Sequence, residues 1–167
     1  MDPILRVENL TAGINGRKII QNISLELNRG ELKVLIGPNA SGKTTLAMSI
    51  LGHPAYKVFS GRIFLDGKDV TSLPMYERAL KGIYVSFQTP PEVKGVKVED
   101  FLSLLLKKHY GMVDKKKVIK CLRELGIPYD MFTRELNVGF SGGEKKRLEI
   151  AQLLLLKPKV AVLDEPD

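Results

Sequence analysis

Short apolar runs set off by glycine, proline or charge recur along the chain at 4–7, 18–27, 32–36, 62–65, 82–87 and 159–163. Runs of this length read as strands. VLI (Val34–Ile36) and VAVL (Val160–Leu163) are apolar at consecutive positions, the pattern of strands covered on both faces by helices. A largely parallel α/β sheet is therefore expected, with an antiparallel edge from the two earliest runs. TLAMSIL (Thr45–Leu51) reads as a helix. Between Phe87 and Lys159 the spacing changes. VEDFLSLLLKKHY (Val98–Tyr110), DKKKVIKCLRELG (Asp114–Gly126) and SGGEKKRLEIAQLLLLK (Ser141–Lys157) carry apolar residues at three- and four-residue intervals, as amphipathic helices do. The pattern predicts one domain over 1–167, with a core of 1–88 and 158–167 and an inserted helical lobe of 89–157. Pro90 and Pro91 open that lobe; they favour extended backbone and lack amide donors, as a stiff connector or hinge would.

At 167 residues, 44% hydrophobic and 27% charged, the chain has the balance of a globular domain with a sizeable core. No stretch approaches the roughly 20 apolar residues of a membrane span. The start, MDPILRVENL, has neither the basic run nor the apolar segment of a signal peptide, so a cytoplasmic location without membrane insertion is expected. Cys121 is the single cysteine, which excludes an intrachain disulfide, a cysteine-built zinc site and ligation of a cluster by this chain. Its helical position predicts a core-facing thiol. The net charge of +7 is compatible with nucleic acid, anionic lipid, an acidic partner or a nucleotide. Lysines are spread over 107–108, 115–117, 145–146, 157 and 159 without interleaved aromatics, which favours a solvated surface over a nucleic-acid face.

Gly37, Pro38, Asn39, Ala40, Ser41, Gly42, Lys43 and Thr44 fit GxxxxGK[S/T], between the run LKVLI and the helical TLAMSIL. A loop closing onto a helix N-terminus aims successive N–H groups inward, where the helix dipole adds positive potential. Lys43 supplies a mobile cation for β- and γ-phosphates, and Thr44 a hydroxyl for Mg²⁺; Thr45 completes the set of phosphate-binding positions. Ala40 stands where glycine is common, a substitution that is tolerated if its φ is negative.

VAVLDEPD delivers Asp164 to the sheet's C-terminal edge, where a carboxylate holds Mg²⁺ through water. Glu165, next along, is placed to orient or deprotonate an attacking water. Ser141, Gly142, Gly143 and Glu144 form the S-x-x-E of a capping box. Two glycines in that first turn cost about 1 kcal/mol each relative to alanine and leave the amides bare. Lys145, Lys146 and Arg147 follow, although cations oppose the dipole there unless an anion approaches. These features describe an anion site with no anion of its own.

The phosphate loop, Gln88 after a strand, FSGGE (Phe140–Glu144) and LDEP (Leu163–Pro166), in this order, resemble the ATP-binding cassette (ABC) ATPases across the whole chain. The resemblance implies a P-loop fold, ATP and Mg²⁺ as cofactors, and a second ATPase subunit paired head to tail. Each ATP would lie between the phosphate loop of one subunit and Ser141–Glu144 of the other. It also implies that Gln88 reaches Mg²⁺ and the attacking water, with Lys43, Gln88 and Glu165 as the catalytic set. NVGFSGGEKKR (Asn137–Arg147) is similar, more narrowly, to the ATPase subunit of the SUF iron–sulfur cluster assembly system. That implies soluble SUF scaffold proteins as partners, with the cluster chemistry theirs. A transporter cassette, which more often shows LSGGQ, is the alternative, and a nucleotide-binding module without turnover a third reading.

Two departures from the family pattern remain. Where cassettes commonly stack an aromatic on adenine, this sequence offers Ile14, implying modest base selectivity. The family also continues beyond LDEP to a further strand ending in a histidine, whereas His53 and His109 both precede Asp164. The C-terminal part of the sheet is thus expected to be missing from this stretch, which would be a portion of a longer ATPase, or one completed by another chain, and weakly active alone.

Overall fold

The computed structural model describes residues 2–86 and 90–163. They form two compact units, one of the residues up to Val85 together with those from Lys159, the other from Ser86 to Pro158.

In the first unit β1 (Leu5–Ile14), β2 (Arg17–Leu27), β3 (Tyr56–Leu65) and β4 (Lys68–Asp69) form an antiparallel sheet in the order β2-β1-β3-β4. Asn15 and Gly16, both at positive φ, turn β1 into β2; Asp66 and Gly67 do the same between β3 and β4. Leu5, Val7, Leu10 and Ala12 of β1 face a core shared with Ile63 and Leu65 of β3. Helix α1 (Lys43–Leu51) is buried continuously from Thr45 to Leu51, which is why TLAMSIL is apolar nearly all round.

Helix α2 (Met75–Lys81) secures the far end of α1. Its Arg78 is 2% exposed. Nη1 donates to the carbonyls of Ser49 (2.8 Å) and Ile50 (2.9 Å), and Nε to that of Leu73 (2.9 Å). A cation on the last carbonyls of a helix meets the negative end of its dipole. Burial pulls the guanidinium below its ordinary range, and nearby Asp69 opposes that shift.

Parallel pairing joins β5 (Ile83–Val85) to β8 (Val160–Val162). Lys159, at the entrance to β8, donates to Asp66 at 2.9 Å, and Arg29 reaches the other oxygen of the same carboxylate. The expected strand at 32–36 is not paired, and Leu32 and Ile36 are 89% and 91% exposed. The parallel part of the sheet is therefore smaller than expected, a single pair among the described residues. Consecutive apolar residues favour a strand, but a ladder needs a neighbour, and no described strand lies along this run. The α/β class stands, with mixed sheets and helices.

The second unit holds α3 (Val98–Tyr110), α4 (Lys115–Glu124) and α5 (Gly142–Leu156) around a core that includes Leu102, Leu106, Leu122, Met131, Leu148 and Leu155. Asp114 caps α4 by accepting from the Lys117 amide at 3.1 Å. Cys121 is buried, as its position predicts, and burial pushes its thiol up. The Tyr110 hydroxyl, at the end of α3, donates to the Leu156 carbonyl at 2.6 Å, tying together the C-terminal ends of α3 and α5. Beyond its prolines the expected connector becomes β6 (Val93–Lys97), paired antiparallel with β7 (Glu135–Leu136). Among the described residues no helix is long and apolar enough to cross a membrane.

Candidate functional site

The phosphate loop runs into α1 through Gly42, whose φ of 97° is left-handed. A Cβ there would lie 2.5 Å from Cγ2 of Ile20, so close packing on β2 and backbone conformation both require glycine. Gly42 offers no side-chain cap, and the first turn of α1 has no acid. The other four helices all have one or the other: Glu77 in α2, Glu99 and Asp100 in α3, the Asp114 cap of α4 and the Ser141 cap of α5. Among the described residues, α1 is the one α-helix whose amides and positive dipole end meet neither a side-chain cap nor a first-turn acid.

Lys43 folds over the loop, donating Nζ to the carbonyls of Gly37 (2.8 Å) and Pro38 (3.0 Å). Phosphate oxygens could replace both acceptors. Ser41 closes the turn with its amide on the Pro38 carbonyl at 3.3 Å, and Asn39 at its tip is exposed. Thr44 is exposed, leaving its hydroxyl open to a metal, whereas the Thr45 side chain is buried in the core. Uncapped amides, a mobile ammonium and an open hydroxyl fit a polyphosphate with Mg²⁺. Ala40 does not meet the condition of negative φ: its φ is +62°, a left-handed conformation costing an L-residue about 1–2 kcal/mol.

The capping box at α5 is formed in both directions. The Glu144 amide donates to Ser141 Oγ at 3.3 Å, and the Ser141 amide donates to Glu144 Oε2 at 2.7 Å. That backbone bond holds the Glu144 carboxyl below its ordinary range, with further contributions from Arg134 and Arg147. The site is thus not without an anion of its own. Lys145 also pairs with Glu92 (3.3 Å), and Lys146 with Glu149 (3.8 Å). Gly142 and Gly143 are different from the box that flanks them. Among the described residues a Cβ on either would meet nothing within 4 Å, and neither has positive φ.

The loop preceding α5 turns back through Asn137 (φ 62°) and Gly139 (φ 65°). Buried Asn137 donates Nδ2 to the Pro91 carbonyl at 2.9 Å, fixing the segment after the prolines to this loop. Arg134 lies over the Phe140 ring, 4.6 Å from its centroid. Neither Arg134 nor Asn137 stood out in the sequence, because their contacts depend on that reversal; the only local signal is the N-x-G of Asn137–Gly139. Ile14 ends β1 opposite Arg17 and Tyr56. Gln88, Asp164 and Glu165 lie outside the described residues. Among the described residues no group of His, Cys, Asp and Glu could hold a metal, and Thr44 is the one expected Mg²⁺ ligand within them.

Residues 20–167 match the protein family described as "ABC transporter". The chain is 41% identical over 170 residues to Vegetative protein 296 of Bacillus subtilis (strain 168), covering 98% of this chain and 65% of that one. It is 42% identical over 173 residues to a "Probable ABC transporter ATP-binding protein" of Streptococcus pyogenes serotype M3, covering 98% and 67%. The chain therefore spans about two thirds of the length of these curated relatives. A solved ATP-binding cassette of an ABC transporter superposes with a TM-score of 0.74 at 30% identity, over 99% of this chain and 70% of the other. By sequence and by fold, this chain belongs to the ABC transporter family, as an ATP-binding cassette.

Proposed function

We propose that this protein binds ATP with Mg²⁺ and hydrolyses it to ADP and phosphate as a head-to-tail pair, the phosphate loop of one copy facing Ser141–Glu144 of the other. The observation that carries this reading is the pair Gly142 and Gly143. Neither backbone conformation nor packing among the described residues calls for glycine there, yet each forgoes about 1 kcal/mol of helix propensity. Amides kept accessible at that cost suit a group brought from outside the chain, and a triphosphate held around Lys43 of a second copy has the matching charge.

In this reading Lys43 gives up the Gly37 and Pro38 carbonyls for phosphate oxygens, and the helix start of α1 orients the triphosphate. Mg²⁺, when bound, would supply positive charge to offset that of the triphosphate. Thr44, Gln88 and Asp164 would hold it, and Glu165 would orient or deprotonate the attacking water. Substituting Glu165→Gln in the full-length protein should preserve ATP binding and stop turnover. Hydrolysis persisting at the parental rate would remove Glu165 from that role. No hydrolysis even before substitution would favour a nucleotide-binding module.

For the coupled partner, the names of the relatives favour an ABC transporter. This reverses the order expected from NVGFSGGEKKR. The SUF scaffold remains the second reading, carried by Phe140 and Glu144, where transporter cassettes more often have leucine and glutamine. Purifying the native complex discriminates them: a partner released only by detergent supports the transporter, and a soluble partner supports the scaffold. Both readings place the chain on the cytoplasmic side.

A further inference from the structure

Arg134 makes three separate contacts with the loop that presents Gly142 and Gly143. Its guanidinium stacks on Phe140 (4.6 Å to the centroid), Nη2 donates to the Gly139 carbonyl at 3.3 Å, and Nη1 lies 3.7 Å from Glu144 Oε1. The backbone of Arg134 is itself fixed. Its amide donates to the Met131 carbonyl at 3.2 Å, and its carbonyl accepts from Val98 at the start of α3 at 3.0 Å. A planar cation anchored in this way reaches ring, carbonyl and carboxylate at once, which a lysine ammonium cannot do.

The carboxylate it reaches presents a conflict. Glu144 stabilises the start of α5 by capping it and by opposing the dipole, but it also places negative charge beside the amides that would receive a triphosphate. Glutamine at this position would cap without the charge. We infer that Arg134 is a positioning residue of the composite nucleotide site: it neutralises Glu144 and holds the loop from Gly139 to Glu144 in place, so that a helix start capped by an acid still accepts an anion. This rests on the head-to-tail reading above. Arg147 also acts electrostatically on Glu144, but Arg134 is the cation that forms a salt bridge with it.

The test is a double-mutant cycle in the full-length protein carrying Glu165→Gln, reading the Mg-ATP concentration at half-dimerisation by sedimentation. Arg134→Met should raise that concentration about tenfold, the loss expected for a charge-assisted contact. Adding Glu144→Gln to Arg134→Met should recover most of the loss, because the charge that needed cancelling has gone. Arg134→Lys should fall between parent and Arg134→Met. A role confined to packing on Phe140 would give no rescue by Glu144→Gln, and that result overturns the inference, as does an Arg134→Met variant that dimerises like the parent. Circular dichroism checks that each variant is folded; should Arg134→Met fail, the same cycle runs with Arg134→Lys. A parent that stays monomeric in Mg-ATP refutes the head-to-tail reading itself, a different outcome from a dimerising parent without rescue.

Discussion

Helices α1 and α5 are secured at opposite ends. In α1 the C-terminal carbonyls are bound by buried Arg78, while the N-terminus begins at a glycine with neither side-chain cap nor first-turn acid. In α5 the N-terminus carries its own capping box and carboxylate, and the amides next to them belong to two glycines with open space around them. A helix start without compensation is suited to be the primary holder of an anion. One that is already capped can contribute amides to an anion held elsewhere while remaining formed in its absence. The difference matches a division of labour in which the phosphate loop binds and the Ser141–Glu144 helix completes.

The largest effect that would break this comparison is at Lys43. Lys43→Ala should weaken ATP binding by about 100-fold, measured by calorimetry, with little change in Tm, because its bonds to Gly37 and Pro38 are exchangeable. Normal ATP affinity in that variant would remove the phosphate loop from its role. Next comes the cap: Ser141→Ala should destabilise the protein by about 1 kcal/mol in urea melts. Glu144 adds a pH dependence of definite sign. Its folded carboxyl titrates below the ordinary 4.5, so its stabilisation is fully present above 4.5 and lost as pH falls through the lowered value. Parent and Glu144→Gln stability curves should therefore converge in acid and separate towards neutrality; parallel curves would deny the carboxylate that role. The smallest effect is at Ala40, where Ala40→Gly should gain up to about 1 kcal/mol by relieving the left-handed alanine, with ATP affinity unchanged.

Long periodic segments were the most legible part of the sequence. The spacing in VEDFLSLLLKKHY marks α3 at both ends, and SGGEKKRLEIAQLLLLK marks α5 to within one residue at each end. Short elements were not legible: α2 has seven residues and β7 two, too few for any period to emerge, and both are set by what they pack against. The run at 32–36 shows the reverse error, an apolar pattern without a described partner strand. In the site, motif residues could be named because their spacing is chemistry. The conformation of Ala40 and the reach of Arg134 could not be, since both follow from loop reversals at positive φ that residue types only weakly announce.

The most direct test of the composite site is Gly143→Ala, compared with its parent in full-length Glu165→Gln protein under saturating Mg-ATP. Alanine raises helix propensity by about 1 kcal/mol and its Cβ meets no atom of the described residues within 4 Å, so Tm should stay level or rise. Sedimentation velocity should nonetheless show a dimer for the parent and predominantly monomer for the variant. A variant that dimerises as tightly as its parent would contradict the account.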